Sequence, residues 1–112
     1  MNNSTLKYVR ISDATFKKEV LEHNTLVMVE FGANWCGPCH IIAGSLDELA
    51  AQYNGQMKFC RIDADENPIS KEKYSIYYLP TLLYFLNGKL VDQITGTKSR
   101  SEIENRIKLH LK

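Results

Sequence analysis

Apolar and polar positions alternate along the chain with two different periods. Short apolar runs of strand length cover Leu6–Ile11, Leu26–Phe31, Met57–Asp63, Thr81–Leu86 and Leu90–Thr95. Between most of these runs, apolar residues recur every three or four positions, which is the period of a helix with one buried face. Strands interleaved with helices in this way form layered α/β folds. The pattern therefore predicts an α/β protein.

Four helices are predicted from the signals that start them. They begin at Ser12 or Asp13, near Cys39, at Asn67-Pro68 with Asn67 as the cap, and at Ser99. The second helix is the longest and runs to Tyr53. The last opens with a capping box, because Glu102 follows Ser99 at a spacing of three residues. Asn87-Gly88 predicts a tight hairpin turn between the last two strands.

Length and charge limit the classes of function. The chain has 112 residues, of which 44% are hydrophobic, so a single domain over residues 1–112 is predicted. Its 14 basic and 13 acidic residues are scattered and leave a net charge of +1. This balance favours neither nucleic acid nor an acidic membrane surface as a partner. The apolar runs are far too short to span a membrane.

The cysteine count and the first residues bear on the cellular compartment. The N-terminal residues are polar and lack the charged and apolar regions of an export signal. Three cysteines are an odd number, which fits poorly with the paired disulfides of secreted proteins. We therefore expect a cytoplasmic protein.

The candidate chemistry lies in residues 35–39, Trp-Cys-Gly-Pro-Cys, where a predicted strand gives way to a helix. The first amides of a helix have no partners within it, and they stabilise a thiolate by roughly 1–2 kcal/mol. We expect Cys36 to be the more exposed thiol and the attacking thiolate, and Cys39 to be the buried resolving thiol. Pro38 suits the first helical turn, and Gly37 lets another chain approach the sulfur.

Two metal-based interpretations of the cysteine pair are less favoured. A zinc site needs two further ligands, and no second close pair is formed by the candidates, which are Cys60, His23, His40 and His110. The sequence Cys-x-x-Cys-His at residues 36–40 also matches the attachment motif of c-type haem. Haem is disfavoured because the motif follows a strand-like run in an α/β pattern and no export signal precedes it.

Four landmarks resemble the thioredoxin family and together span nearly the whole chain. They are the strand and dithiol loop at residues 29–39, the strand and turn at 61–68, the segment Leu79-Pro80-Thr81-Leu82, and Gly96. The resemblance implies a thioredoxin fold, with a central mixed β-sheet of four to five strands flanked by about four helices. It also implies a monomeric general reductase of protein disulfides that binds no cofactor. An NADPH-dependent thioredoxin reductase, a flavoprotein, would recycle it.

The resemblance assigns substrate contacts as well. Pro80 is expected to follow a cis peptide bond, and the main chain of Leu79 is expected to pair with the substrate as an added strand. Thr81 and Gly96 are assigned to the same substrate-facing region.

Exposed aromatic residues would complete the docking surface. We expect Trp35 and Tyr78 to form an apolar docking lip beside the reactive sulfur, next to Gly37 and Pro38. The alternatives are ordinary packing for Trp35 and simple burial for Tyr78.

Five positions depart from the usual family pattern. They are Glu30 in place of Asp, Gly32 where many bacterial members have Trp, His40 in place of Lys, Gly44 in place of Pro, and Arg61 in place of Lys. Glu30 lies in an otherwise apolar strand, where burial disfavours its charged form. It could accept the Cys39 proton through a water and return it later, with Arg61 as its tentative partner. The alternative is a buried Glu30–Arg61 ion pair with no catalytic part.

Two further titratable residues carry weaker expectations. We expect His40 to be a solvated surface residue, since adjacent helix residues point in different directions, although a charged His40 would favour a nearby thiolate. Cys60 lies in mid-strand and is expected to behave as a small buried hydrophobe.

The predicted reaction is dithiol–disulfide exchange by an electron-carrying oxidoreductase. Cys36 attacks a substrate disulfide, and Cys39 then resolves the mixed disulfide. A specialised disulfide oxidase or isomerase, favoured by Glu30 and His40, is one alternative. A non-catalytic polypeptide-binding module is another, and the paired cysteines argue against it.

Overall fold

The structure is a computed structural model that describes residues 8–111. Its strands are β1 (Tyr8–Ile11), β2 (Val27–Gly32), β3 (Lys58–Asp63), β4 (Thr81–Leu86) and β5 (Lys89–Thr95). Its helices are α1 (Gly37–Gln52), α2 (Pro68–Lys73) and α3 (Arg100–His110), and one π-helical turn at Lys17–Leu21 precedes them. The predicted start of the first strand, Leu6, lies outside the described residues.

The strands form one mixed sheet in the order β1-β3-β2-β4-β5. β3 pairs in parallel with β1 and β2, whereas β4 pairs antiparallel with β2 and β5. β2 therefore has a partner on both sides, and all six of its residues are buried. Within residues 8–111, the predicted α/β class is confirmed, with a five-stranded mixed sheet and four helical segments.

Helices cover both faces of this sheet. α1 and α3 pack on the face that carries Met28, and the π-helical turn packs on the face that carries Val29. Successive strand residues point to opposite faces, so Glu30 belongs to the α1 face. Cys60 lies in the cluster on the other face. None of the helices in the described range is long and apolar enough to cross a bilayer.

Most predicted boundaries differ from the observed ones by one or two residues, but the first helical segment begins at Lys17 and not at Ser12 or Asp13. α1 begins at Gly37, two residues before the predicted start, because Pro38 fits a first helical turn. The first predicted helix is only a π-helical turn, closed where the amide of Glu22 donates to the Lys17 carbonyl. Such a turn spans five residues and ends before it can form a longer apolar face.

The predicted capping box and hairpin are both confirmed. The Ser99 hydroxyl accepts a hydrogen bond from the Glu102 amide at 3.1 Å, and the Glu102 carboxylate accepts one from the Ser99 amide. Asn87 and Gly88 both have positive φ, of 51° and 79°. That combination is what a two-residue hairpin turn of this kind requires.

The cap of α2 comes from a residue that is distant in sequence. Asn67 occupies the predicted cap position, but its side chain donates to the Asp63 carbonyl and accepts from the Asp13 amide instead. The Asp13 carboxylate accepts hydrogen bonds from the amides of Ile69 and Ser70 at 3.1 and 2.8 Å. The loop after β1 thereby fixes the start of α2.

The side chain of Asp92, a residue of β5, binds two residues of α3. Its carboxylate accepts hydrogen bonds from Arg106 and from the imidazole of His110, and its side chain is only 16% exposed. Burial raises the pKa of Asp92, but the bonds from His110 and the Gln93 amide, together with the charge of Arg106, outweigh burial. The pKa of Asp92 is therefore lower than its ordinary value.

We predict that Asp92→Asn lowers the free energy of unfolding by about 1 kcal/mol at neutral pH. A lowered pKa stabilises the fold above the ordinary pKa, and this contribution disappears as the pH falls through the folded-state value. The difference between variant and wild type should therefore close in acid, which urea unfolding at several pH values would measure. The control is Glu22→Gln, which removes the exposed Lys17–Glu22 ion pair and should leave the free energy of unfolding nearly unchanged. An Asp92→Asn effect that does not vary with pH would contradict the electrostatic explanation.

Candidate active site

The two cysteines are joined in a disulfide where β2 leads into α1. The Cα atoms of Cys36 and Cys39 are 5.3 Å apart. Cys36 is the N-cap residue of α1, and its sulfur accepts a hydrogen bond from the Cys39 amide at 3.1 Å. A sulfur in this position faces the positive end of the helix dipole, which favours a thiolate when the disulfide is reduced.

The expected difference in exposure between the two cysteines is wrong for this disulfide form. Cys36 is 1% exposed and Cys39 is 6% exposed, so Cys36 is not the more accessible residue. The reason is local, because the Cys36 side chain turns inward to cap α1 instead of projecting into solvent.

The Leu79–Pro80 peptide bond is cis, as the resemblance predicts. The carbonyl of Pro80 accepts a hydrogen bond from the amide of Gly96 at 2.8 Å. Thr81 pairs with Phe31 across β4 and β2, and its hydroxyl donates to the Tyr78 carbonyl at 2.6 Å. The structure thus brings Pro80, Thr81 and Gly96 together at the end of β2 that leads to the dithiol.

The predicted docking residues are exposed. Trp35 is 70% exposed and Tyr78 is 71% exposed, so neither is a core residue. The indole N–H of Trp35 donates to the Asp65 carboxylate at 2.6 Å, which holds the ring at the surface. Gly37 and Pro38 are exposed as well.

Glu30 and Arg61 form an ion pair beneath the dithiol. They are register partners in β2 and β3, and Arg61 Nε donates to Glu30 Oε1 at 2.6 Å. The Arg61 guanidinium also lies 4.1 Å from the centre of the Tyr8 ring and 3.9 Å from an Asp47 carboxylate oxygen. Burial lowers the pKa of Arg61, but the adjacent Glu30 carboxylate outweighs burial and the pKa is raised.

One cleft connects this ion pair to Cys39. We call it the Glu30 cleft, and its walls include Glu30, Gly32, Cys39, His40, Ala43 and Arg61. Glu30 is only 4% exposed, so this cleft is its route to solvent. The cleft makes the Glu30 carboxylate and the Cys39 sulfur parts of one site.

The remaining candidate residues are not part of the disulfide or of the Glu30–Arg61 ion pair. His40 is exposed, and its Nε2 lies 2.7 Å from the Asn34 carbonyl, so it tethers the loop before Cys36. Cys60 is buried on the opposite face of the sheet. Among residues 8–111, no group of three or more His, Cys, Asp or Glu side chains is placed to hold a metal ion.

Sequence reasoning missed the residues that hold the site in place. Asp65 fixes Trp35, the Asn34 carbonyl holds His40, and Tyr8 and Asp47 flank Arg61. These contacts join residues from separate elements, and no local spacing signals them. Only the strand register, which sets β1 beside β3, could have indicated Tyr8.

A disulfide at the start of a helix, set beside a cis-proline and a buried carboxylate on an α/β sheet, defines a thiol–disulfide oxidoreductase. The sequence profile of the family described as Thioredoxin matches residues 7–109. The chain is 43% identical to thioredoxin 1 of Synechococcus elongatus over 90% of this chain and 94% of that protein. It is 39% identical to thioredoxin 1 of a Nostoc species over 91% and 95%. With Staphylococcus aureus thioredoxin it shares 38% identity over 92% and 97%.

The chain belongs to the thioredoxin family. It is a protein-disulfide oxidoreductase whose paired cysteines carry out dithiol–disulfide exchange.

We predict that Cys60 does not react with iodoacetamide in the folded protein at neutral pH. Burial raises the pKa of Cys60 to about 12, and the nearby Lys58 offsets burial only in part. The thiolate fraction is then roughly a thousand times smaller than that of an ordinary cysteine. Mass spectrometry of a variant with Cys36→Ser and Cys39→Ser, in which Cys60 is the one remaining thiol, would measure this. Labelling before denaturant is added would contradict the prediction.

Proposed function

We propose that the protein is a general reductase of protein disulfides in which Cys36 is the attacking thiolate and Cys39 the resolving thiol. The observation that carries this assignment is the hydrogen bond from the Cys39 amide to the Cys36 sulfur. The thiolate is the nucleophile in disulfide exchange, and the first turn of α1 stabilises it at Cys36.

The proposed reaction has two exchange steps. Cys36 Sγ attacks one sulfur of a substrate disulfide, which forms a mixed disulfide and releases the other sulfur as a thiolate. Cys39 Sγ then loses its proton and attacks Cys36 Sγ. The bond to the substrate breaks, and the substrate leaves reduced while the Cys36–Cys39 disulfide forms.

Glu30 is proposed to accept the proton that Cys39 loses. Its carboxylate is almost fully buried, lies on the α1 face and lines the same cleft as Cys39. Arg61 binds one of its oxygens and thereby orients the other. Positioned carboxylates of this kind contribute to proton transfer during catalysis.

The substrate is proposed to bind along the strand edge before Pro80. Leu79 would supply main-chain hydrogen bonds, and Thr81 and Gly96 hold this segment in place. Trp35 and Tyr78 would provide exposed aromatic surface for the substrate. Gly37 and Pro38, both exposed, would leave room for the substrate backbone.

The family resemblance supports a proposal for the partners and location of the protein. Protein disulfides are the substrates that the family implies, and an NADPH-dependent thioredoxin reductase is proposed to return Cys36–Cys39 to the dithiol. We further propose that residues 1–112 act as a single monomeric domain in the cytoplasm and carry electrons between these partners.

We predict that Cys36→Ser and Cys39→Ser stop the reduction of insulin disulfides at different steps. Cys36→Ser should abolish turnover, because no nucleophile remains for the first step. Cys39→Ser should stop after one step and accumulate a mixed disulfide, which non-reducing gel electrophoresis detects. Mixed disulfides on Cys36→Ser, or turnover by that variant, would contradict the assigned order. The double serine variant serves as the control for the background reaction.

We predict that Glu30→Gln slows resolution of the mixed disulfide by at least about tenfold at neutral pH, because glutamine cannot take up the proton. Stopped-flow absorbance of a coloured aromatic thiol released from Cys36 would measure this step alone.

The matched control is Glu48→Gln, which also removes a carboxylate charge from α1 but pairs with Arg100 and not with Arg61. Its resolution rate should match wild type. A Glu30→Gln variant that is less stable yet resolves normally would support the alternative, a structural ion pair with no catalytic part.

A further inference from the structure

His40 reaches back from α1 to the loop that carries Trp35. Its Nε2 lies 2.7 Å from the carbonyl oxygen of Asn34, six residues earlier in the chain. Helix side chains lean toward the N-terminus, so a residue near the start of α1 can reach the loop before the helix. A carbonyl oxygen only accepts hydrogen bonds, so Nε2 must carry a proton. Both the neutral and the charged imidazole can donate this bond, and it therefore requires no charge on His40.

The Asn34 carbonyl belongs to the peptide group that sets the direction of Trp35. The Cys36 amide donates to the Ala33 carbonyl at 3.1 Å, which closes a β-turn. Asn34 and Trp35 are the two central residues of this turn and share its middle peptide group. Rotation of that group changes ψ of Asn34 and φ of Trp35 together, as between turns of types I and II. The bond from His40 therefore restricts the backbone from which the indole projects.

The indole of Trp35 is held from a different element. Its N–H donates at 2.6 Å to the carboxylate of Asp65, in the turn after β3. Trp35 is nevertheless 70% exposed, so packing against neighbours contributes little to its orientation. The direction of the ring then depends on two hydrogen bonds, one at the indole and one at the peptide group that His40 binds.

We propose that His40 is a positioning residue for protein substrates, which fixes the Asn34–Trp35 peptide group and thereby presents the exposed Trp35 ring to the substrate. This inference rests on the substrate contact proposed above for Trp35. It assigns His40 a role through the backbone and not through its charge. His40 is exposed, and water and salt screen the effect of an exposed charge on a nearby thiolate.

The first test is His40→Ala in the turnover of insulin disulfides, with dithiothreitol as the reductant. KM for insulin should rise about three- to tenfold, the factor expected when one hydrogen bond that orders the binding surface is lost. The value of kcat should stay within about twofold of wild type, because the dithiol itself is unchanged. Reduction of a small aromatic disulfide should keep the wild-type rate, since so small a substrate does not need the Trp35 surface. A wild-type KM for insulin would overturn the inference.

His40→Gln separates the hydrogen bond from the charge. Glutamine places an amide N–H at the same number of bonds from Cα as His Nε2, and it carries no charge. This variant should therefore return KM close to the wild-type value, and a KM as high as that of His40→Ala would contradict the proposal. If His40→Ala instead reduces the small disulfide slowly and its Cys36 thiolate forms only at higher pH, His40 acts on the thiolate and the proposal fails.

Trp35 also reports its own orientation, because it is the only tryptophan in the chain. Time-resolved fluorescence anisotropy, with the Cys36–Cys39 disulfide intact, should show larger motion of the indole in His40→Ala than in wild type or His40→Gln. The matched control is His23→Ala, which removes a histidine located before β2, at the end of that strand away from the dithiol. It should keep the wild-type KM and anisotropy. Unchanged anisotropy in His40→Ala would show that Trp35 is held without His40.

Trp35→Ala distinguishes failure of this inference from failure of the proposed function. If both residues act on one contact, adding His40→Ala to Trp35→Ala should raise KM no further, and losses that multiply would contradict the proposal. If Trp35→Ala raises KM but His40→Ala does not, the positioning role alone fails. If Trp35→Ala keeps the wild-type KM, the docking role of Trp35 fails and the role of His40 fails with it.

Discussion

The register of β2 between its two neighbours is the constraint on which the site depends. In parallel pairing with β3 it sets Glu30 beside Arg61, and in antiparallel pairing with β4 it sets Phe31 beside Thr81, next to Pro80. A slip of one residue would turn every side chain of the strand to the opposite face. Both faces of β2 are buried, so such a slip would put the Glu30 carboxylate into the apolar cluster around Val29. Burying that charge without Arg61 is costly, which helps to fix the register.

The two sulfurs face different polar groups of the protein. The amides at the start of α1 face Cys36, and they favour a negative charge on it without any charged side chain. The Glu30 carboxylate lies on the side of Cys39, the thiol from which the proposed mechanism removes a proton. Arg61 is itself held between Tyr8 and Asp47, so the carboxylate oxygen that it binds has a fixed position. We attribute the proposed division of roles between nucleophile and resolving thiol to the different group that each sulfur faces.

The α/β class and the reacting pair could be predicted from local signals, whereas the mixed sheet was expected only from the family resemblance. Strand-length apolar runs, the capping box at Ser99 and the turn at Asn87-Gly88 each lie within a few residues, and the structure contains them. Contacts between distant elements could not be predicted, since nothing near Pro68 indicates that Asp13 caps α2. The expected exposure of Cys36 was wrong for a different and local reason. Its position at the helix edge was foreseen, but the inward turn of its side chain depends on the disulfide and on the amide it accepts from.

Neither backbone nor space requires the glycine at the end of β2. Gly55, Gly88 and Gly96 have positive φ, which favours glycine, but Gly32 does not. A β-carbon would fit there without a clash, and glycine inside a strand costs roughly 0.5–1 kcal/mol relative to alanine. Packing and conformational entropy both favour a side chain at this position. A side chain at residue 32 would contact both the Cys39 sulfur and Glu30 Oε2, so this position borders the two groups that the proposed resolving step uses.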